Sequence, residues 1–174
     1  FVEYQGRFGA HQLQASARND DNEQFGNHLT GSVGWGMALG NGFRLNASYG
    51  TGFKAPTFND LYFPGSESPD LKPEQSRSLN LGVAQAQDHW NWSFNVFETR
   101  IDDLIVFVYP PPNYIGIGMN VDESRIRGAE LTFGMALAGF TTMGQPAASA
   151  GPALRVIIAA GKFQGVMAAA TPTG

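Results

Sequence analysis

Apolar and polar residues alternate with a period of two in six separate stretches of the first 140 positions. That period fits extended strands that turn one apolar face to one side. In His11–Arg18, Leu13, Ala15 and Ala17 oppose Gln12, Gln14, Ser16 and Arg18. In Leu29–Met37, Leu29, Val33, Trp35 and Met37 oppose Thr30, Ser32, Gly34 and Gly36. Phe43–Tyr49 sets Phe43, Leu45, Ala47 and Tyr49 against Arg44, Asn46 and Ser48, and Leu79, Leu81 and Val83 continue the theme. Trp90, Trp92, Phe94 and Val96 then oppose Asn91, Ser93 and Asn95, and Ala129, Leu131, Phe133 and Met135 oppose Glu130, Thr132 and Gly134. No run approaches the ~20 consecutive apolar residues of a membrane-crossing helix, which leaves membrane β-barrels open because they need only alternate apolar positions. The expected fold is all-β, an antiparallel meander of seven main strands.

Connections between these stretches are of two kinds. Short turns fall near Gly9-Ala10, Gly40-Asn41-Gly42, Gln87-Asp88 and Ala138-Gly139; longer links fall near Asp20–Phe25, Lys54–Gln75 and Tyr109–Asn113. Outer-membrane barrels have that asymmetry, with tight turns on one side and long loops on the other. Trp90, Trp92 and Phe43 follow short turns, where an amphipathic ring rests at headgroup level. A soluble antiparallel sandwich also alternates, with its apolar face inward. The polar face here is built of Ser, Thr, Gly and Asn with few Lys or Glu, unlike a surface selected for solubility. Leu13, Val33, Trp35, Leu45, Leu81, Trp92, Phe94 and Leu131 are therefore expected together on an exposed, lipid-side surface.

The stretch Tyr49–Ser76 departs from alternation. It holds Pro56, Pro64, Pro69 and Pro73 with Gly50, Gly52 and Gly65, so neither a continuous helix nor an interior strand can run through it. It also carries Phe53, Phe58, Leu61, Tyr62, Phe63 and Leu71, which a floppy linker would lack. Long structureless links of this kind are uncommon and usually functional.

YGTGFKAP from Tyr49, then Asn59-Asp60-Leu61-Tyr62, then Pro69–Ser76 closely resemble the TonB-dependent outer-membrane receptors, nearest to their cobalamin (vitamin B12) branch. Arg100–Ile105 and Asn120 followed by Arg125–Leu131 extend the resemblance to about residues 1–140. It implies part of a transmembrane β-barrel in the outer membrane of a Gram-negative cell. The parent function it implies is uptake of cobalamin or a related metal chelate, with a siderophore receptor or a soluble all-β ligand-binding module as alternatives. The family's plug, through which the TonB energy transducer acts, would precede residue 1, and no signal peptide is visible at Phe1. The chain is thus expected to be a fragment, not transport-competent alone. Full receptors of this kind close with 22 strands. Residues 141–174, rich in Ala, Gly and Pro, are expected to be a tail unlike the family, with Leu154–Gln164 forming a short strand or helix.

Candidate chemistry is sparse. A net charge of −4 without a basic stripe argues against nucleic acid as a partner, and the absence of cysteine rules out disulfides and thiolate metal sites. His11, His28 and His89 lack a spacing that converges on zinc. Asn19–Glu23 offers calcium-type oxygens, but without the alternating ligands and turn glycine of an EF-hand loop it fits a solvated turn. Asp102 and Asp103 are neighbours on a strand and point apart, and Gly50-Thr51-Gly52 lacks the Lys-Ser/Thr of a phosphate loop. No catalytic residue, metal ligand or cofactor is assigned, and no enzyme is expected. Lys54, Arg77, Arg100, Arg125 and Arg127 are expected to form a lumen ladder with Glu74, Glu98, Asp122 and Glu130. Tyr62, Phe63 and Tyr109 are the aromatics that a ligand surface would use.

Overall fold

The computed structural model describes residues 1–136 and 153–166. Its strands are β1 (Val2–Phe8), β2 (His11–Asn22), β3 (Gly26–Gly40), β4 (Phe43–Lys54), β5 (Glu74–Ala86), β6 (Trp90–Val108), β7 (Ile117–Ala136) and β8 (Ala153–Val166). One short helix, α1 (Phe58–Tyr62), lies between β4 and β5. All strands join one antiparallel sheet in chain order, so each pairs with its sequence neighbours. β1 and β8 occupy the two edges, and the sheet is open.

Tight turns enforce this order. Gly40, Asn41 and Gly42 all have left-handed backbone, with φ of 84°, 48° and 75°, a conformation glycine and asparagine tolerate best. Gly42 also stands against the Ala86 carbonyl, where any side chain would collide, and its own carbonyl accepts from Ala86 N–H at 3.0 Å. The β3–β4 turn is thereby locked to the neighbouring β5 end.

Residues opposite one another in an antiparallel ladder share a face. The register runs Leu13–Trp35–Ala47–Leu81–Val96–Ala129 as one row across six strands, and Met37–Leu45–Val83–Phe94–Leu131 as the next. These rows form a continuous apolar surface. Among the described residues nothing covers it: Leu81, Phe94 and Leu131 remain 46%, 41% and 42% exposed. Nearest the short turns, Phe43, Gln85, Trp92 and Phe133 share a row. There Phe43 meets Trp92 edge-on at 6.3 Å, and Trp92 Nε1 donates to Gln85 Oε1 at 3.2 Å. The eight residues expected on one surface all lie on this face. The other face carries hydroxyls and amides bonded across strands, Ser16 to Ser32 at 2.8 Å and Ser78 to Thr99 at 2.9 Å.

One expectation needs correction, and the sheet extends beyond the strands expected. The seven expected strands are β1–β7, and residues 153–166 add an eighth, paired to β7 from Ala136↔Ala153 to Glu123↔Val166. The expected tail over 141–174 thus contains β8, in the region left open between strand and helix; 137–152 and 167–174 lie outside the described residues, as does the Ala138-Gly139 turn. Finally, the link expected over Asp20–Phe25 shrinks to residues 23–25, since pairing continues to Asn22↔Gly26. Asn22 Oδ1 accepts from the N–H groups of Gln24 and Phe25, both at 3.0 Å, so the polar residues make a tight turn instead of a loop.

If the apolar face meets lipid, Leu81→Arg should weaken insertion into vesicles by about 2–4 kcal/mol, with a smaller loss for Asn80→Arg on the opposite face. Urea-dependent folding into vesicles, followed by tryptophan fluorescence, measures both; equal losses would show that Leu81 does not face lipid.

Candidate functional site

The long links gather at one end of the sheet, and the buried side chains of Pro56, Leu61, Leu71 and Val121 lie there. The β4–β5 link is built rather than loose. Thr57 caps α1: its hydroxyl accepts from Asp60 N–H at 3.2 Å, while the Asp60 carboxylate accepts from Thr57 N–H at 2.8 Å. This Thr-x-x-Asp signature was legible in the sequence, although the helix it starts was not anticipated. Beyond α1, Gly65 N–H donates to Glu67 Oε1 at 3.0 Å, and this bond holds the Glu67 carboxyl below the usual carboxylate range.

The link then docks on the tip of β7. Ser66 Oγ donates to the Gly116 carbonyl, and Ser68 Oγ accepts from Gly118 N–H at 3.1 Å. A Cβ at Gly118 would stand 3.0 Å from Leu71 Cδ1, tighter than most such contacts, so glycine eases the close approach of the link. Asn120 closes the clamp: its Oδ1 accepts from Lys72 N–H at 2.8 Å, while its Nδ2 donates to the carbonyls of Lys72 at 3.0 Å and Asp103 at 2.6 Å. Lys72 also approaches Asp103 at 3.9 Å. Nothing local in the sequence announces the contacts between the link and β7, which join residues about fifty positions apart.

Aromatic rings crowd the outer surface of this end. Phe58 and Tyr62 touch with centroids 5.1 Å apart, Phe63 follows α1, and Tyr109 lies against Gly116 in the β6–β7 link. Phe58, Phe63, Tyr109 and Tyr114 are all more than half exposed. Gln24 Nε2 donates to the Tyr62 hydroxyl at 3.3 Å, tying the β2–β3 turn to the same patch. Such an arrangement offers flat apolar contacts with polar tips, suited to gripping a large, partly polar ligand.

The other sequence candidates are dispersed. His11 accepts from Trp35 Nε1 at 3.2 Å, His28 stacks on Phe53 at 3.7 Å, and His89 lies in the β5–β6 turn. Among the described residues no three His, Asp or Glu are placed to hold a metal ion. Asn19 Nδ2 donates to Asn27 Oδ1 at 2.9 Å, Asp20 pairs with Arg18 at 2.6 Å and Asn22 Oδ1 holds the turn, so the Asp20 and Asn22 oxygens already have partners. Thr51 of Gly50-Thr51-Gly52 bonds Gly31 within the sheet.

The lumen ladder divides. Lys54 and Glu74 pair at 3.1 Å on the polar face, and Glu74 also accepts from Ile105 N–H at 3.1 Å. Glu130, opposite Asn95, shares that face. Arg77, Arg100, Arg125, Arg127 and Glu98 do not: the register sets Glu98 and Arg127 in the row of Tyr49 and Leu79 on the apolar face, and Arg77, Arg100 and Arg125 in the row beyond it. The expectation that they line a lumen is corrected. Their sequence parity with Leu79, Leu81, Val96 and Leu131 could have shown it.

An open antiparallel meander, apolar on one face and amide- and hydroxyl-lined on the other, with tight turns at one end and built loops at the other, is a segment of a β-barrel wall. The chain belongs to the TonB dependent receptor-like β-barrel family, whose match spans residues 1–165. It is 39% identical over 128 residues to the vitamin B12 transporter BtuB of Photobacterium profundum, covering 72% of this chain and 21% of that protein. The BtuB of Vibrio vulnificus is 39% identical over 118 residues, covering 68% and 19%. The chain thus spans about a fifth of the length of these curated relatives. Among solved structures, the FrpB iron transporter of Neisseria meningitidis superposes with a TM-score of 0.67 at 14% identity, over 94% of this chain and 25% of that one. The siderophore receptor PirA of Pseudomonas aeruginosa gives 0.66 at 24% identity, over 75% and 26%. At these identities the structures speak for the fold.

Asn120→Ala should release the β4–β5 link. It leaves backbone groups of Lys72 and Asp103 without their partner, a local loss of about 1–3 kcal/mol. Amide exchange at Lys72 should then quicken while exchange in β3 and β4 stays unchanged; unchanged exchange at Lys72 would show that the clamp does not hold the link.

Proposed function

We propose that these strands are part of the wall of an outer-membrane receptor that takes up cobalamin or a related metal chelate, and that the chain does not transport by itself. The observation that carries the reading is the 39% identity to vitamin B12 transporters over 128 residues. The exposed aromatic patch at the loop end supports it, since a large chelate needs flat apolar contacts rimmed by polar groups. Energised transport in this reading uses the TonB transducer acting on segments other than these strands. Iron and siderophore transport, carried by the names of the structural neighbours, is the second reading, supported by shape alone.

Two measurements separate these readings. Residues 1–136 exchanged into the matching strands of the Photobacterium BtuB should leave cyanocobalamin uptake largely intact in a receptor-deficient strain. Loss of uptake from a chimera that still reaches the membrane would favour a different chelate. The purified, refolded 174-residue chain should bind cyanocobalamin no better than an unrelated barrel. Saturable micromolar binding would place recognition within these strands and overturn the expectation of an inactive segment.

A further inference from the structure

Four arginines gather on the apolar face where the apolar rows end. The register sets Arg77 opposite Arg100 and Arg100 opposite Arg125, one row across β5, β6 and β7, with Arg127 opposite Glu98 in the adjoining row. Like charges directly opposite are destabilising in a sheet unless anions intervene. Some do: Glu98 bridges Arg100 at 2.9 Å and Arg125 at 3.3 Å, and Asp102 takes Arg77 at 2.7 Å. With Glu123, opposite Asp102, three carboxylates face four guanidinium groups. The cluster therefore carries an excess of positive charge in a chain whose formal net charge is −4. Arginines of the other face show no such row; Arg7, Arg18 and Arg44 stand opposite Gln12, Thr30 and Ala84.

The arginines also border a site. A groove of about 200 Å³ is lined by Tyr49, Leu79, Arg77, Ser78, Glu98 and Arg100. Tyr49 and Leu79 make it continuous with the apolar rows, while Arg77 and Arg100, with side chains 57% and 47% exposed, supply free N–H donors at its other side. Depth follows from spacing. Arg100 lies ten positions beyond Trp90 on β6, and a tilted strand crosses the hydrocarbon core in about 9–11 residues. With Trp90 and Trp92 at one interface, the arginine row stands at the headgroup level of the other.

We propose that this groove binds a phosphorylated lipid headgroup of the leaflet on the long-loop side. The phosphate lies between Arg77 and Arg100, and the acyl stem runs along Tyr49 and Leu79. Guanidinium forks match phosphate geometry, and the ion pairs to Glu98 and Asp102 hold the forks in place. The inference rests on the membrane reading above.

The test uses the full chain folded in detergent micelles and native mass spectrometry. The probes are bisphosphorylated lipid A, the same lipid with its phosphates removed, and inorganic phosphate. Retention of the phosphorylated lipid should exceed that of the dephosphorylated one by about tenfold or more, and inorganic phosphate in excess should not displace it. Arg77→Gln with Arg100→Gln should remove the preference, and Arg44→Gln on the polar face should leave it. Should the double glutamine variant misfold, the wild-type comparison of the two lipids still decides, and Arg77→Lys with Arg100→Lys, which keeps charge but loses the fork, should show a reduced preference. Equal retention of the two lipids by a chain that still inserts into vesicles overturns this inference alone. Displacement by inorganic phosphate would mean a free-anion site and overturns it too. A chain that enters no lipid overturns the membrane reading and this inference together.

Discussion

The antiparallel hydrogen-bond ladder is the constraint on which the rest depends. Each strand pairs only with its neighbours, so one register fixes which residues share a row from β1 to β8. A slip of one residue anywhere would send an entire apolar set to the opposite face. The tight Gly40-Asn41-Gly42 turn and the contact of Gly42 with Ala86 prevent that slip at the end where the aromatic residues stand. With the register held there, Trp35, Leu81, Phe94 and Leu131 form one continuous surface.

Among the described residues no second layer covers these rows. A soluble sheet would bury these rows; here they stay substantially exposed, and the little that is buried lies at the loop end. In the proposed membrane setting the energetic logic is inverted relative to a globular domain, because lipid rather than a core would supply the apolar environment. The polar face uses Ser, Thr and Asn to bond across strands, which satisfies side chains without demanding a packed interior. Family membership and exposed rows therefore point the same way for independent reasons.

The loop end shows a different economy. α1, the Gly65–Glu67 turn and the Asn120 clamp convert a Pro- and Gly-rich link into a defined structure resting on β7. Its aromatic rings are thereby displayed from a supported base. A binding surface built this way loses less entropy when a ligand arrives than one borne on free loops.

Much of this was determined by the sequence alone. Alternation gave strands and faces, Gly and Asn marked the tight turns, and the prolines of Tyr49–Ser76 excluded regular structure there. Even the outward placement of Arg77 and Arg100 was present in their parity with Leu79 and Val96, though a ladder along the lumen was the expectation. Tertiary structure decided the remainder. Parity says which face a residue takes but not which residues of other strands stand beside it, so only register could line up Arg77, Arg100 and Arg125. Docking of Leu71 on Gly118 and of Lys72 on Asn120 depends on groups nearly fifty positions apart meeting in space. The strand over Ala153–Val166 likewise takes its place by pairing with β7, since its sequence mixes the β-favouring Val156-Ile157-Ile158 with Ala159-Ala160-Gly161 and lacks clean alternation.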